Sequence, residues 1–169
     1  MDEGRFGRIS VLRSCWAPEP VRPKVWRQVV RESLYAFAAI APVEGEGTAM
    51  IEPKCNTPAM ARFILQMLAC WPDHRLLCFL DGAGWHKSKQ LPVPERLRLE
   101  LLPAYTPECN PTEHVWDETR EKGFANQFFA DLAGVEVRLE TELLLLLNDP
   151  PRLRKLTCFP WIPSGLLYL

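Results

Sequence analysis

Residues 76–116 read LLCFLDGAGWHKSKQLPVPERLRLELLPAYTPECNPTEHVW, and the reading of this stretch decides the fold. Leu76 to Leu80 is an unbroken apolar run, the pattern of a strand buried on both faces of a largely parallel sheet. Asp81 follows at once, with Gly82 and Gly84 allowing a sharp turn. A carboxylate at the carboxyl end of such a strand faces the crevice where α/β sheets bind ligands. The far end, Asn110-Pro111-Thr112-Glu113, is a helix start that carries a second carboxylate in its first turn. A strand end and a helix start that bring two acids together make a candidate divalent-metal site.

Outward from this stretch, the segment 97–102 (LRLELL) predicts another strand, and a helix is expected from Pro111 to about Lys122. Upstream, Arg5–Leu12, Gln28–Ala41 and Thr48–Ile51 predict three strands in an antiparallel meander, with a Pro-rich loop over Ser14–Pro23. Thr57-Pro58 opens a helix whose apolar residues recur at Met60, Phe63, Ile64, Met67 and Leu68, the spacing of one buried face. A last helix is expected from about Val135 to Leu147. The closing segment CFPWIPSGLLYL (158–169) is apolar and broken by prolines, fit either to pack on the core or to meet a partner. This order of elements is that of an α/β fold, a ribonuclease H-like mixed five-stranded sheet flanked by helices. Residues 1–125 form its core, and 126–169 a C-terminal helical extension packing on that core.

Composition sets the outer bounds. With 169 residues, 47% hydrophobic and 24% charged, the chain is long and apolar enough to bury one core. A formal net charge of −1 argues against autonomous tight DNA binding, since phosphate contacts demand excess positive charge, yet it permits a basic rim around an acidic site. The six cysteines form no C-x-x-C pair and no signal peptide is evident, so a reducing cytosol is expected. No apolar run approaches the roughly 20 residues of a membrane span.

Each candidate residue has an ordinary role as competitor. Asp81 can begin a turn by bonding its own backbone two residues on. Glu113, at the third helical position after Asn110, can act as a capping-box glutamate. His86 fits a hydrogen-bonding loop residue as well as a contact to phosphate, and Trp85 and Trp116 fit core packing. Cys109 with His114 lacks an orienting third group and is discounted as a nucleophilic pair. Lys87, Lys89, Arg96, Arg98, Arg120 and Lys122 fit either a DNA-tracking rim or an ordinary solvated surface.

The blocks DGAGWHKSK and LPAYTPECNPTEHVW, with the opening Asp2-Glu3-Gly4-Arg5-Phe6-Gly7, resemble the catalytic core of bacterial insertion-sequence transposases of the mariner-like DDE superfamily. The resemblance covers roughly residues 2 to 125 and fades in the C-terminal third. It implies a catalytic triad of Asp2, Asp81 and Glu113. The interval from Asp81 to Glu113 is slightly shorter than the family's usual gap, which fits a trimmed loop around Leu91 to Arg96. The resemblance also implies two Mg²⁺ ions (Mn²⁺ substituting) held by the same three residues, and DNA strand cleavage followed by strand transfer, the work of a polynucleotidyl transferase. Its implied partners are double-stranded DNA (element ends and target) and a second copy of the chain on that DNA. The implied location is bacterial, cytoplasmic and nucleoid-associated, with no membrane.

The family places a helix-turn-helix region before this domain and several apolar residues before the first aspartate. Only Met1 precedes Asp2 here, so half of the first strand is expected to be missing. Two alternatives to the transposase reading therefore stand: an inactive truncated remnant, and a stand-alone ribonuclease H-like nuclease.

Overall fold

A computed structural model describes residues 1–166. The chain runs β1 (Asp2–Ile9), β2 (Val29–Ala41), β3 (Glu46–Glu52), α1 (Thr57–Cys70), β4 (Leu76–Leu80), β5 (Leu97–Leu101), α2 (Thr112–Thr119), α3 (Leu132–Leu147), α4 (Pro150–Thr157) and α5 (Trp161–Leu166). The expectation for the C-terminal segment lies, for residues 167–169, outside the described residues.

The predicted meander is present. β1 pairs antiparallel with β2, and β2 with β3, while β4 and β5 pair parallel, Leu76 to Leu97 through Leu80 to Leu101. The expected single sheet of five strands is instead a three-stranded sheet and a two-stranded sheet. The hydrogen bond from the Met1 ammonium to the Phe79 carbonyl, 2.8 Å long, joins the two sheets. β1 begins earlier than the apolar residues at 6, 9 and 11 indicate. Asp2, Glu3 and Gly4 are drawn into the sheet opposite Ala38, Phe37 and Ala36.

Alternation along β2 divides the core in two. Phe37 and Ala39 face α1, whose Ala59, Met60, Phe63, Ile64 and Met67 fill that side together with Cys78 and Leu80. Leu34, Ala36 and Ala38 face the other side, filled by Phe6, Val115, Trp116, Phe124, Val135, Leu139, Leu143 and Leu153. The fold is thus α1 on one face of the meander and α2, α3 and α4 on the other. Every strand residue of β1 points to one of two different environments, and Asp2 and Glu3, as neighbours, point to opposite ones.

The apolar run at 76–80 misleads in one respect. Cys78 and Leu80 are buried, but Leu77 and Phe79 are 38% and 44% exposed. The helices of the second face lie over β1 to β3 and leave this side of β4 open.

Helix ends follow capping chemistry. The cap of α1 is Asn56, one residue before the expected Thr57; its side chain accepts from the Ala59 amide at 3.0 Å, with proline in the first turn. Asp131 caps α3 in the same way through the Gly134 amide at 2.8 Å. The helix expected to reach Lys122 is α-helical only to Thr119 and then widens into a π turn over Arg120–Phe124. That turn is held from α3, where Arg138 Nε donates to the Gly123 carbonyl at 3.1 Å.

Candidate functional site

The first aspartate is firmly seated. Asp2 is 7% exposed, and its carboxylate Oδ2 accepts a 2.8 Å hydrogen bond from Trp116 Nε1 on α2. Trp116, expected as core, is core and donor at once, which satisfies its buried N–H. Burial first, and then the charge of Glu113, push the Asp2 carboxyl up to about 6; the Trp116 bond opposes them. Two carboxylates are therefore held close enough to repel in a place with little water.

Glu113 lies half-buried on the first turn of α2. Asn110 supports this helix start, its side chain accepting from the Thr112 amide at 3.2 Å and its carbonyl from the Glu113 amide at 3.1 Å. The capping-box role is not realised, because the Asn110 amide donates to the Pro107 carbonyl at 2.9 Å instead. The Glu113 carboxylate is left for other work.

Asp81 follows β4 and plays its turn role: Oδ1 accepts from the Ala83 amide at 3.0 Å. Its side chain is 57% exposed. The buried imidazole of His86 stands beside it, with Nδ1 2.9 Å from the Asp81 carbonyl and 2.8 Å from Oδ1. On its other side, His86 Nε2 is 2.7 Å from Glu3 Oε1, and Trp85 Nε1 donates to the same oxygen at 3.4 Å. Both ring nitrogens face only oxygen acceptors, so both donate when the ring is doubly protonated. Burial alone would lower the pKa of this ring; the bond to Glu3 and its charge, with the Asp81 carbonyl and carboxylate, hold it above the ordinary histidine value.

Asp2 and Glu113 influence each other through charge, whereas Asp81 follows β4; among the described residues the potential metal-ligand atoms within 4.8 Å of one another belong to Glu3, Asp81 and His86. His86 was expected as a satisfied loop residue, and it is one. Glu3 was not singled out at all. The signal available was alternation: the acid after Asp2 in a strand must face the opposite side, towards the turn that carries His86.

The basic residues divide. Arg96 is neither rim nor solvated surface. Its guanidinium donates to the carbonyls of Leu68 and Trp71, each at 2.7 Å, and His74 at 3.2 Å, closing the C-terminal end of α1. Arg98 pairs with Glu100 at 2.5 Å, and Arg120 lies over the Phe6 ring, 5.3 Å from its centroid. Lys87, Lys89 and Lys122 are exposed. His114 packs against Phe159, with ring centroids 4.9 Å apart.

The DDE superfamily endonuclease family model matches residues 1–135, and the chain belongs to that family, with the catalytic-domain fold of mariner-like DDE transposases. Among curated proteins, the "Uncharacterized protein y4pE/y4sA" of Sinorhizobium fredii is 31% identical over 129 residues, 75% of this chain and 95% of that protein. A pre-cleavage Mos1 transpososome is similar in fold, with a TM-score of 0.60 and 12% identity over 93% of this chain and 54% of the Mos1 chain. The Mos1 mariner paired-end complex with Mn gives a TM-score of 0.59 at 13% identity, over 91% and 51%. The chain therefore spans about half the length of the Mos1 chains it matches. Enzymes of the DDE superfamily use divalent metals, and no described helix is long and apolar enough to cross a membrane.

Proposed function

We propose that this domain is the catalytic part of a transposase, cleaving DNA at the ends of a mobile element and joining the freed 3′-hydroxyl to target DNA. The observation that carries the reading is the buried carboxylate of Asp2, 7% exposed and bonded to Trp116, with the charge of Glu113 acting on it and helping burial push its pKa up to about 6. Burying one carboxylate beside another is costly unless a cation enters between them. The oxygen-only donor set of Asp2, Asp81 and Glu113 fits Mg²⁺, with Mn²⁺ as a substitute. Two such ions, when bound, supply charge neutralisation and Lewis-acid activation for an in-line displacement at phosphorus.

In this reading Asp2 holds its carboxylate in a fixed direction through Trp116, Glu113 presents its own from the α2 start, and Asp81 approaches from the end of β4. The half-exposed side of Asp81 leaves the centre open to a nucleic-acid strand. Lys87 and Lys89 follow Asp81 on the same turn, and they are suited to phosphate contact. Double-stranded DNA is the proposed substrate, both as element ends and as target, and the working form is a pair of such domains on paired ends in the bacterial cytoplasm. Residues 1–125 are read as the catalytic core and 126–169 as an extension packing on it. The packing of that extension is supported by Val135, Leu139 and Leu143, which share the second half of the core with Phe6, Leu34 and Val115.

The test is cleavage by the purified chain in millimolar Mn²⁺. The substrates are supercoiled plasmid, linear duplex carrying candidate element ends, and an RNA–DNA hybrid. DNA nicking lost in Asp81→Asn and Glu113→Gln supports the reading. Preference for the hybrid would mark a stand-alone ribonuclease H-like nuclease. No cleavage of any substrate would mark an inactive remnant.

A further inference from the structure

We propose that Glu3 and His86 are positioning residues that fix the carboxylate of Asp81, through a hydrogen-bonded chain running from β1 to the end of β4. The inference rests on the assignment of Asp81 as a cation ligand. It goes further by assigning a role to two residues outside the triad.

The need is set by exposure. Asp2 is buried and bonded to Trp116, but Asp81 stands 57% exposed on a glycine-flanked turn. An exposed aspartate samples several rotamers, and freezing them costs conformational entropy on every binding event. The structure supplies an anchor. Glu3 is fixed in the sheet opposite Phe37, and its side chain is 7% exposed. Its Oε1 accepts from Trp85 and faces His86 Nε2 at 2.7 Å. The ring of His86, fully buried, then reaches Asp81 twice, at the carbonyl and at Oδ1. With the Ala83 amide also on Oδ1, that oxygen is engaged and Oδ2 is the atom turned to a ligand.

Geometry separates positioning from direct ligation. The ligand atoms of Glu3, Asp81 and His86 lie within 4.8 Å of one another, close enough for one ion. However, both nitrogens of His86 already face oxygen partners, Nδ1 on Asp81 and Nε2 on Glu3, so an ion ligated by the ring would displace the hydrogen bond at the nitrogen it took and break the chain between the two acids. The fully buried ring is placed to orient a ligand, as the hydrogen-bonded partners of metal-binding carboxylates do. Burying Glu3 has a stated use in the same terms, since it is the acceptor that holds the ring.

The experiment is a Mn²⁺ titration of the full chain, with free Mn²⁺ read by electron paramagnetic resonance and melting followed in parallel. The proteins are wild type, Glu3→Gln, Glu3→Leu, His86→Ala and Asp81→Asn. Glutamine can donate to or accept from Nε2, so Glu3→Gln binds Mn²⁺ nearly as the wild type does. Glu3→Leu and His86→Ala lose the anchor and bind on the order of tenfold more weakly. Equal losses in Glu3→Gln, Glu3→Leu and Asp81→Asn would overturn the proposal by making Glu3 a charged ligand in its own right. Unchanged affinity in His86→Ala and Glu3→Leu, with Asp81→Asn impaired, would overturn positioning and leave the triad standing. If His86→Ala does not fold, the comparison of Glu3→Gln with Glu3→Leu still decides. Wild-type affinity in Asp81→Asn, or a wild type that binds no Mn²⁺, would contradict the triad itself.

Discussion

Trp116 Nε1 donates a 2.8 Å hydrogen bond to Asp2 Oδ2, tying helix α2 to the first residue of β1. The bond joins the two elements that carry the first and third acids of the proposed triad. It also opposes the rise in the Asp2 pKa. Trp116→Phe removes the donor and keeps most of the ring. The expected loss is about 1–3 kcal/mol at neutral pH, the usual cost of leaving a buried charged acceptor unpaired. The loss is smaller near pH 4.5, where Asp2 is protonated. Urea unfolding at the two pH values measures the difference.

Asp2 also sets a pH dependence for the metal-free protein. Its carboxyl titrates at about 6 when folded against an ordinary 3.8, so between these values the folded state binds more protons than the unfolded one. Stability is full below the unfolded value and falls as pH rises through 6, by up to about 3 kcal/mol. His86, also held above its ordinary value, adds a loss in the same direction at higher pH. Asp2→Asn removes the lower step alone. Chelated protein unfolded at intervals between pH 4 and pH 8 resolves the two.

Gly4 is the contact that lets Asp2 and Trp116 meet. A Cβ there would lie 2.7 Å from the Phe6 ring and 2.8 Å from Trp116 Cδ2. Gly4→Ala forces one buried aromatic ring to move, an overpacking expected to cost about 1–3 kcal/mol. The midpoint of denaturant unfolding is the check.

Arg96 gives a prediction opposite to that of a DNA-binding arginine. Lysine keeps its charge but cannot span three carbonyls with one planar fork. Arg96→Lys is therefore expected to destabilise by about 1–3 kcal/mol. DNA affinity measured below the melting temperature should be unchanged, whereas Lys87→Ala with Lys89→Ala should lower it.

Much of this was legible in the sequence, for reasons tied to particular residues. The α1 face declared itself by the spacing of Met60, Phe63, Ile64, Met67 and Leu68, all of which are buried. The strand before Asp81 declared itself by its apolar run and the glycines beyond it. The start of β1 did not, because Asp2, Glu3 and Gly4 have little strand character of their own. They are strand because β2 offers backbone partners at Ala38, Phe37 and Ala36. The split into two sheets, with Met1 bonded to Phe79 between them, is a relation between distant segments that no local pattern encodes. Glu3 escapes notice, and Arg96 reads as rim or solvated surface, for a similar cause. Each acts on partners far along the chain, His86 for one and the α1 carbonyls for the other, and a charged residue read alone defaults to surface.

Asp2 and Glu113 repel each other, and a cation bound between them would relieve that repulsion. The most direct measurement is the melting temperature at pH 8, with chelator and with millimolar Mn²⁺, for wild type, Asp2→Asn and Glu113→Gln. Either substitution is expected to raise the melting temperature in chelator, because repulsion is relieved. Mn²⁺ is expected to raise that of the wild type, and this gain to be largely lost in both variants. Equal gains from Mn²⁺ in all three proteins, or lower melting temperatures of both variants in chelator, would contradict this pairing.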